Sequence, residues 1–366
     1  MNYDSFCRHF LTVFDEVTVV GRLFDIEDET AKAVTGPNVT FQAIPQYSGP
    51  LEFILHSLQI IKILFKLSEE DAAFVLRVPG TIPSIFSIIA GLRSKKFAIQ
   101  CVADPADQLG KGSVNHPLRK IFRFGFMKIL KWQCNRAGVT MYVTKKSLQR
   151  RYPPQKGKPT YSYTDLVLQD NCYRDSPKSL EEFNTEEPSV INVGMMVQMY
   201  KGQDVLIKAL HQCINNGLNV KLKLIGDGEY REYFESLAKE LNVERNIKFY
   251  GKVRGGKSIR DLIDESDMFV LPSRQEGLPR ALMEAMARGI PCVGSNVGGI
   301  PELLPSEYIF ESEDYLTLAN IIRESFTSIS KLQEMGQMSL EKARDYHFRN
   351  MIRIRTEYYR AVLRLY

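Results

Sequence analysis

Short runs of apolar and β-branched residues alternate with longer amphipathic segments along most of the chain. In the first half this pattern predicts a helix over 51–67 and strands over 16–23, 72–78, 97–102 and 139–144. Strands that alternate with helices favour parallel sheets covered by helices on both faces. We therefore expect an α/β protein.

The second half repeats the alternation more densely. It predicts helices that begin near residues 203, 230, 259 and 279, and strands over 189–195, 220–228, 246–251, 267–273 and 290–294. Units at this density are typical of a doubly wound sheet of the Rossmann type. From residue 314 the pattern is helical, and the segment 347–365 has enough apolar positions to pack back across both halves.

The acidic segment 178–189 separates the halves and is expected to be the linker. We predict an N-terminal domain over 1–187, a C-terminal domain over 188–345 and a final helix over 346–366 that packs back on the first domain. The chain begins with aromatic residues at helical spacing, where a nucleotide-type domain usually opens with a buried strand and a glycine-rich turn. The first strand and its glycine loop are thus expected to be missing, with Met1 as a late start.

The composition suits a globular protein, since 44% of the 366 residues are hydrophobic and 25% are charged. The six cysteines are far apart and form no CxxC pair, so neither a disulfide framework nor a zinc site is indicated. No segment reaches the roughly 18 unbroken apolar residues of a spanning helix. The N-terminus also lacks the basic-then-apolar order of a signal peptide. We expect a cytoplasmic protein.

The charge is unevenly distributed. Residues 108–164 contain 13 Lys or Arg and no Asp or Glu, although the whole chain carries a net charge of only +5. A stretch this basic, with helical periodicity, suggests an anionic partner. An anionic membrane surface would fit, which places the protein peripherally on the inner face of the cell membrane. Nucleic acid is not expected, because no stacking platform or recognised motif accompanies the charge.

The segment 267–304 carries the candidate chemistry. A buried strand is followed by a loop and then by Pro279, which is well placed as the first residue of the next helix. Free backbone N–H groups and the positive end of the helix dipole would lie beside Gly277 and Leu278, forming an anion site. Two carboxylates, Glu276 and Glu284, flank it with seven residues between them, and ionised acids suit sugar hydroxyls.

Two other segments point to the same edge of the sheet. Lys201 follows the first strand of the second domain and would supply a compact positive charge just before Gly202. A glycine turn over 296–300 would let the backbone approach a diphosphate closely.

These elements, in this order, resemble the retaining glycosyltransferases of family 4, which have the GT-B fold. The resemblance covers 189–304 and rests on the spacing of Glu276 and Glu284, the SNVGGIPEL turn, the KG of Lys201 and the LIGDGE that begins at Leu224. It implies two Rossmann-like domains that face a cleft, with the acceptor on the N-terminal side and a nucleotide-sugar donor on the C-terminal side.

The resemblance also implies roles. Glu276 would hold hydroxyls of the transferred sugar, Glu284 would bind the ribose, and Lys201 would pair with the diphosphate. The other donor-binding positions would be the phosphate cradle and the floor beneath the nucleobase, at Gly277, Leu278, Gly298, Gly299, Gly251 and Val253. The chain contains no Asp-x-Asp, so no metal site of the kind used by the other major glycosyltransferase fold is expected, and no cofactor beyond the donor.

Two features depart from the family or match it weakly. The family usually has an arginine where this chain has Met195, so Arg280 or Arg274 would replace its charge, or donor affinity would be reduced. On the acceptor side, Asp104 and Asp107 follow a strand end and resemble an Asp-Pro segment of some polysaccharide-building members.

The sequence thus predicts a metal-independent, hexosyltransferase-type enzyme that moves a sugar from a nucleoside diphosphate to a glycan or lipid-linked acceptor. The implied setting is capsule, O-antigen or related polysaccharide biosynthesis. Alternatives are a nucleotide-sugar epimerase, a phosphorylase with the same fold, or a degenerate, non-catalytic binding protein, which the methionine at 195 and the missing first strand motivate.

Overall fold

The computed structural model describes residues 3–23, 33–110, 117–184 and 186–366. Within these ranges every sheet is parallel, and helices connect successive strands of the two larger sheets, so the predicted α/β class is confirmed. The predicted strands in both halves are present. In the described residues no helix is long and apolar enough to cross a membrane.

The chain opens with helix α1 (Tyr3–His9) and two strands, β1 (Val17–Arg22) and β2 (Val39–Ile44). The two strands pair in parallel and form a sheet of their own. The sequence pattern predicts β1 but misses β2.

The first domain is built on a four-stranded parallel sheet in the order β3-β4-β5-β6. Its strands are β3 (Val75–Val78), β4 (Ala98–Cys101), β5 (Val139–Tyr142) and β6 (Thr160–Ser162), and its helices are α2 (Gly49–Leu67), α3 (Thr81–Leu92), α4 (Pro105–Gln108), α5 (Arg119–Arg136) and α6 (Ser147–Arg151). β4 and β5 are buried along their whole length, as expected of central parallel strands. Residues 111–116 of the basic region lie outside the described residues.

The second domain is built on a six-stranded parallel sheet in the order β12-β11-β10-β7-β8-β9. Its strands are β7 (Ser189–Val193), β8 (Lys221–Ile225), β9 (Ile247–Gly251), β10 (Met268–Leu271), β11 (Cys292–Ser295) and β12 (Ile309–Phe310), and the helices between them are α7 (Gln203–Asn215), α8 (Arg231–Glu240), α9 (Lys257–Asp264) and α10 (Arg280–Ala287). The order reverses between β7 and β10, which makes this sheet doubly wound.

Three helices complete the chain: α11 (Tyr315–Phe326), α12 (Ile329–Arg344) and α13 (Phe348–Leu363). α13 crosses back to the first domain, where Tyr358 Oη donates to the carbonyl oxygen of Ile99 at 3.1 Å. Gln100 Nε2 donates to the hydroxyls of Tyr163 and Tyr359, each at 3.0 Å. One hydrophobic cluster therefore includes strands of both sheets together with α13.

Candidate active site

The site lies where the strand order of the second sheet reverses. β7 and β10 are neighbours there, yet their connections run to opposite sides of the sheet. Loops that leave the carboxyl ends of two such strands diverge and open a crevice, which is the usual ligand site of an open α/β sheet. Lys201 follows β7 and Glu276 follows β10, so both side chains are at this crevice.

The structure brings Lys201 and Glu276 into direct contact. Lys201 Nζ lies 2.6 Å from Glu276 Oε1, and Ser273 Oγ donates to the same oxygen at 2.7 Å. Both charged side chains are mostly buried. A buried, hydrogen-bonded ion pair holds its two groups in a fixed relation, so a positive charge and a carboxylate are positioned together at the crevice.

Two glycines allow the loops of the site to touch. Gly202 has φ +69°, and a Cβ there would lie 2.0 Å from the carbonyl oxygen of Pro272. Gly298 has φ +54°, and a Cβ there would lie 1.9 Å from the carbonyl oxygen of Glu276. Any other residue would push the backbones apart. The loops after β7, β10 and β11 thus form one continuous surface.

The predicted phosphate cradle lies on this surface. Gly299 N donates to the carbonyl oxygen of Gly277 at 2.7 Å, and the Leu278 side chain packs beside Gly299. α10 begins at Arg280, and Pro279 is the residue that precedes the helix, so the predicted start is wrong by one residue. The first N–H groups of α10 have no carbonyl partner within the helix, as at any helix N-terminus, and they lie at the end of α10 that meets this loop.

Glu284 lies on α10, half-buried. Burial raises the pKa of its carboxyl, while the positive charges of Arg280 and Arg260 partly offset that effect. Arg280 is exposed. Carboxyls whose pKa is shifted by burial and nearby charges are frequent at functional sites.

Arg274 is committed to structural contacts. It makes a two-pronged ion pair with Asp204, at 2.8 Å for each nitrogen, and also contacts Glu313 and the carbonyl oxygen of Met199. Burial lowers its pKa, but hydrogen bonds and charge from Asp204 and Glu313 outweigh burial and raise the pKa above the ordinary value. Of the two cations considered as replacements at Met195, only Arg280 is exposed and close to Glu284. Met195 itself is 46% exposed.

Gly251 and Val253 lie farther along the sheet edge. Gly251 ends β9, has φ +67°, and accepts a hydrogen bond from Gly226 N at 2.9 Å. β9 is separated from β7 by one strand, β8, which corresponds to about 10 Å between strand axes. Gly251 and Val253 are therefore on the same edge of the sheet as Lys201. An extended ligand that contacts Lys201 would span the distance to them.

On the facing domain, Asp104 and Asp107 lie beyond the end of β4. Asp104 is buried, and its carboxylate accepts from Ala106 N at 2.7 Å, from Tyr152 Oη at 2.5 Å and from Arg151. It caps the short α4. Asp107 is more exposed and also contacts Arg151, at 3.4 Å. Burial and the nearby Asp104 raise the pKa of Asp107, and Arg151 lowers it.

The two domains touch at the site itself. A Cβ on Gly277 would lie 3.1 Å from the carbonyl oxygen of Val102, at the end of β4. Glu302 accepts three backbone N–H bonds from the first domain, from Lys145 at 2.5 Å, Lys146 at 3.0 Å and Ser147 at 2.6 Å. The sequence shows Glu302 only as part of a glycine-turn motif, because its partners are more than 150 positions away.

Among the described residues, no three His, Cys, Asp or Glu side chains are grouped in a way that could hold a metal ion. Lys201 places a cation at the crevice, paired with Glu276, and Arg280 is exposed at the start of the adjoining α10.

Comparison with known proteins gives this geometry a chemical context. The model of the glycosyl transferases group 1 family matches residues 175–340. The chain is 27% identical to the CapJ protein of Staphylococcus aureus over 351 residues, which is 94% of this chain and 86% of CapJ. WcaL of Escherichia coli, whose name assigns it to colanic acid biosynthesis, is 32% identical over 124 residues, covering 32% of this chain and 30% of WcaL.

Solved structures match nearly the whole chain. Sucrose-phosphate synthase from Thermosynechococcus elongatus superposes with a TM-score of 0.72 at 17% identity, covering 96% of this chain and 90% of that one. HepE from Anabaena, solved with UDP and glucose, gives a TM-score of 0.63 at 17% identity, covering 89% of this chain and 86% of that one. These likenesses show that the chain has the GT-B fold, and the family match over residues 175–340, together with the named relatives, supports a glycosyltransferase.

Proposed function

We propose that the protein is a retaining glycosyltransferase of the family 4 type that moves a hexosyl group from a nucleoside-diphosphate sugar to a glycan or lipid-linked acceptor, without a metal ion. The observation that carries the proposal is the contact of Lys201 with Glu276 at the crevice, with Glu284 on the adjoining helix. A cation suits the diphosphate, and the two carboxylates suit hydroxyls of the sugar and of the ribose.

In the proposed reaction the bond between the sugar carbon and the diphosphate oxygen breaks, and a bond from the acceptor oxygen forms on the same face. The proton of the acceptor hydroxyl passes to the departing phosphate. Negative charge grows on the diphosphate as it leaves. Lys201 and the amides at the start of α10 would stabilise that charge, which is the largest contribution such a site can make.

The proposed setting is the biosynthesis of a cell-surface polysaccharide, at the inner face of the membrane. WcaL supports it by the biosynthesis its name states, and the basic region 108–164 supports an anionic membrane surface as a partner. HepE, whose structure contains UDP and glucose, makes UDP-sugars the first donors to try.

The first test is thermal unfolding with UDP, GDP, ADP, CMP and their sugar conjugates. A ligand at about 100 times its dissociation constant adds roughly 2.7 kcal/mol of stability, so the correct nucleotide should raise the unfolding midpoint clearly. Lys201→Met should remove most of that shift. Lys239→Met is the matched control, because Lys239 is exposed on α8, away from the crevice.

The second test is turnover with the donor found in the first. Lys201→Met and Glu276→Gln should each lower kcat roughly 100- to 1,000-fold, the loss seen when one preorganised electrostatic contact is removed. Activity should survive a chelator, and NMR should show the donor's anomeric configuration in the product. Inversion, or isomerisation of the donor without acceptor, would contradict the proposal, and tight nucleotide binding without turnover would favour a non-catalytic protein.

A further inference from the structure

α2 carries an apolar stripe that no described part of the chain covers. Its exposed apolar side chains recur every three or four residues, at Leu51, Ile54, Leu55, Leu58, Ile61 and Phe65. Leu55 is 80% exposed. The other side of the helix is buried through Ile60, Leu64 and Leu67. A helix that is apolar on both sides is normally buried on both sides, so the outer stripe indicates a partner.

The stripe continues across two neighbouring helices. Leu92 at the end of α3 is 83% exposed, and Ile121, Phe124 and Trp132 are exposed on α5. Residues next to Leu92 join the three helices: the Arg93 guanidinium lies 4.5 Å from the ring centre of Phe65, and a Cβ on Gly91 would lie 3.5 Å from the Trp132 ring. We call this continuous surface of α2, α3 and α5 the three-helix face.

The three-helix face is strongly basic. α5 carries six Lys or Arg and no acid, α3 carries no charge, and α2 carries Lys62 and Lys66. The one acid of the three helices, Glu52, accepts from Ser48 N at 2.5 Å at the start of α2. Cations alternate with apolar groups along α5, and Lys128 Nζ lies 5.3 Å from the ring centre of Phe124.

We propose that the three-helix face docks onto an anionic phospholipid bilayer, with its apolar side chains among the acyl chains and its Lys and Arg side chains at the lipid phosphates. Apolar residues interleaved with Lys and Arg are the pattern of helices that lie in a membrane interface. Long cationic side chains can lie along the apolar surface while their charged ends reach the headgroups. The inference deepens the proposed membrane contact, on which it rests, by assigning the surface that enters the bilayer.

A second copy of the chain is a poorer occupant. In a two-fold dimer each subunit offers the same patch to the other, so this face would bring two sets of cations together, with Glu52 on α2 and Glu69, which lies 3.7 Å from Arg93, as the acids that offset them. The position of the face also suits a membrane-held acceptor. Arg119 at the start of α5 donates to the carbonyl oxygen of Leu109 at 2.9 Å, so the face begins beside Asp104 and Asp107 at the cleft.

Vesicle flotation tests the proposal directly. We expect the full chain to float with vesicles of phosphatidylglycerol and phosphatidylcholine, and to float less with phosphatidylcholine alone or at high salt. Trp132 is the single tryptophan of the chain, so its emission should shift to the blue on binding and should be quenched by brominated acyl chains. An unquenched Trp132 in the floating fraction would overturn the assignment of this face.

A double variant separates the apolar contact from charge. Leu55→Gln with Leu58→Gln should lower partitioning onto anionic vesicles at least tenfold without lowering the unfolding midpoint, because both side chains are already exposed. Leu316→Gln is the matched control, an exposed leucine on α11. Unchanged partitioning, or a wild-type dimer that the double variant dissociates in light scattering, would overturn the proposal in favour of a purely electrostatic contact or of a second copy.

Failure of this proposal can be told from failure of the proposed transferase function. Flotation uses no nucleotide sugar, and stabilisation by the nucleotide uses no lipid. The double variant should keep the full thermal shift with the nucleotide and should lose transfer only to acceptors embedded in vesicles.

Discussion

Glu284 combines a cost to the fold with a role in the proposed function. Burial raises the pKa of its carboxyl, so the folded state binds this proton more tightly than the unfolded chain does. The free energy of unfolding contributed by this group is therefore highest at low pH and falls as the pH rises through the raised pKa. In the proposed function the ionised form of Glu284 binds the ribose, so this form would be kept at the expense of stability.

Glu284→Gln tests both the stability cost of Glu284 and its proposed role in binding. The variant should unfold at a temperature equal to or higher than the wild type at neutral pH, and the difference should shrink as the pH falls. Affinity for the nucleoside diphosphate should drop roughly 10- to 100-fold, since a hydrogen bond to a charged group contributes about 1.5–3 kcal/mol. Glu240→Gln, an exposed acid on α8, should change neither quantity. A destabilised variant that still binds nucleotide fully would assign Glu284 a structural role.

For single residues, the sequence predicts the element that carries a side chain better than it predicts the contacts that the side chain makes. The spacing of Glu276 and Glu284 correctly predicts a loop residue and a helix residue at one sheet edge. That Glu276 is ion-paired to Lys201 depends on a contact between residues 75 positions apart, which local pattern does not encode. Arg274 shows the same limit, because Asp204 and Glu313 engage it across 70 and 39 positions.

Among the elements, α13 ties the chain's end to the first sheet. Tyr358 is fully buried there and donates to the carbonyl oxygen of Ile99 at 3.1 Å. Tyr358→Phe should lower the free energy of unfolding in urea by about 1 kcal/mol, the value of one hydrogen bond. Tyr358→Ala should lower it by about 3–5 kcal/mol, because a large cavity is added.

Ile352 on the same helix is exposed and supplies the control. Ile352→Ala should stay within about 0.5 kcal/mol of the wild type. If Tyr358→Ala cost no more than this, α13 would be an appendage and not part of the first domain's core.

The sequence predicts buried central strands well and marginal strands poorly. β4, β5 and β10 are buried at every position and consist mostly of apolar residues, with Gln100 and Thr140 as the polar exceptions, so their hydrophobicity identifies them. β12 has two residues, too few to show a period. β2 is buried only at its two ends, so its sequence looks like a surface segment until its pairing with β1 is known. Tertiary pairing, not local preference, decides such strands.

For the molecule as a whole, Glu302 is one of the contacts that hold the two sheets in their relative position. Its carboxylate accepts three amide N–H groups at the start of α6, where the positive end of the helix backbone favours a negative charge. Lys145 reinforces the contact, since its Nζ lies 3.1 Å from Asp345 in the segment between α12 and α13. In the proposed reaction a donor and an acceptor meet between these domains, so we expect this contact to affect turnover.

Glu302→Ala should open the cleft. The loss of three hydrogen bonds to one charged group removes at least about 1.5–3 kcal/mol from the closed arrangement, enough to shift a two-state balance at least tenfold. Hydrogen exchange should then become faster at the amides of residues 145–147, and small-angle X-ray scattering should give a larger radius of gyration. Glu307→Ala, an exposed acid nearby, is the control. If both measurements stayed at the wild-type values, the backbone contact of Gly277 with Val102 would be sufficient to hold the domains together, and the carboxylate would serve only to cap α6.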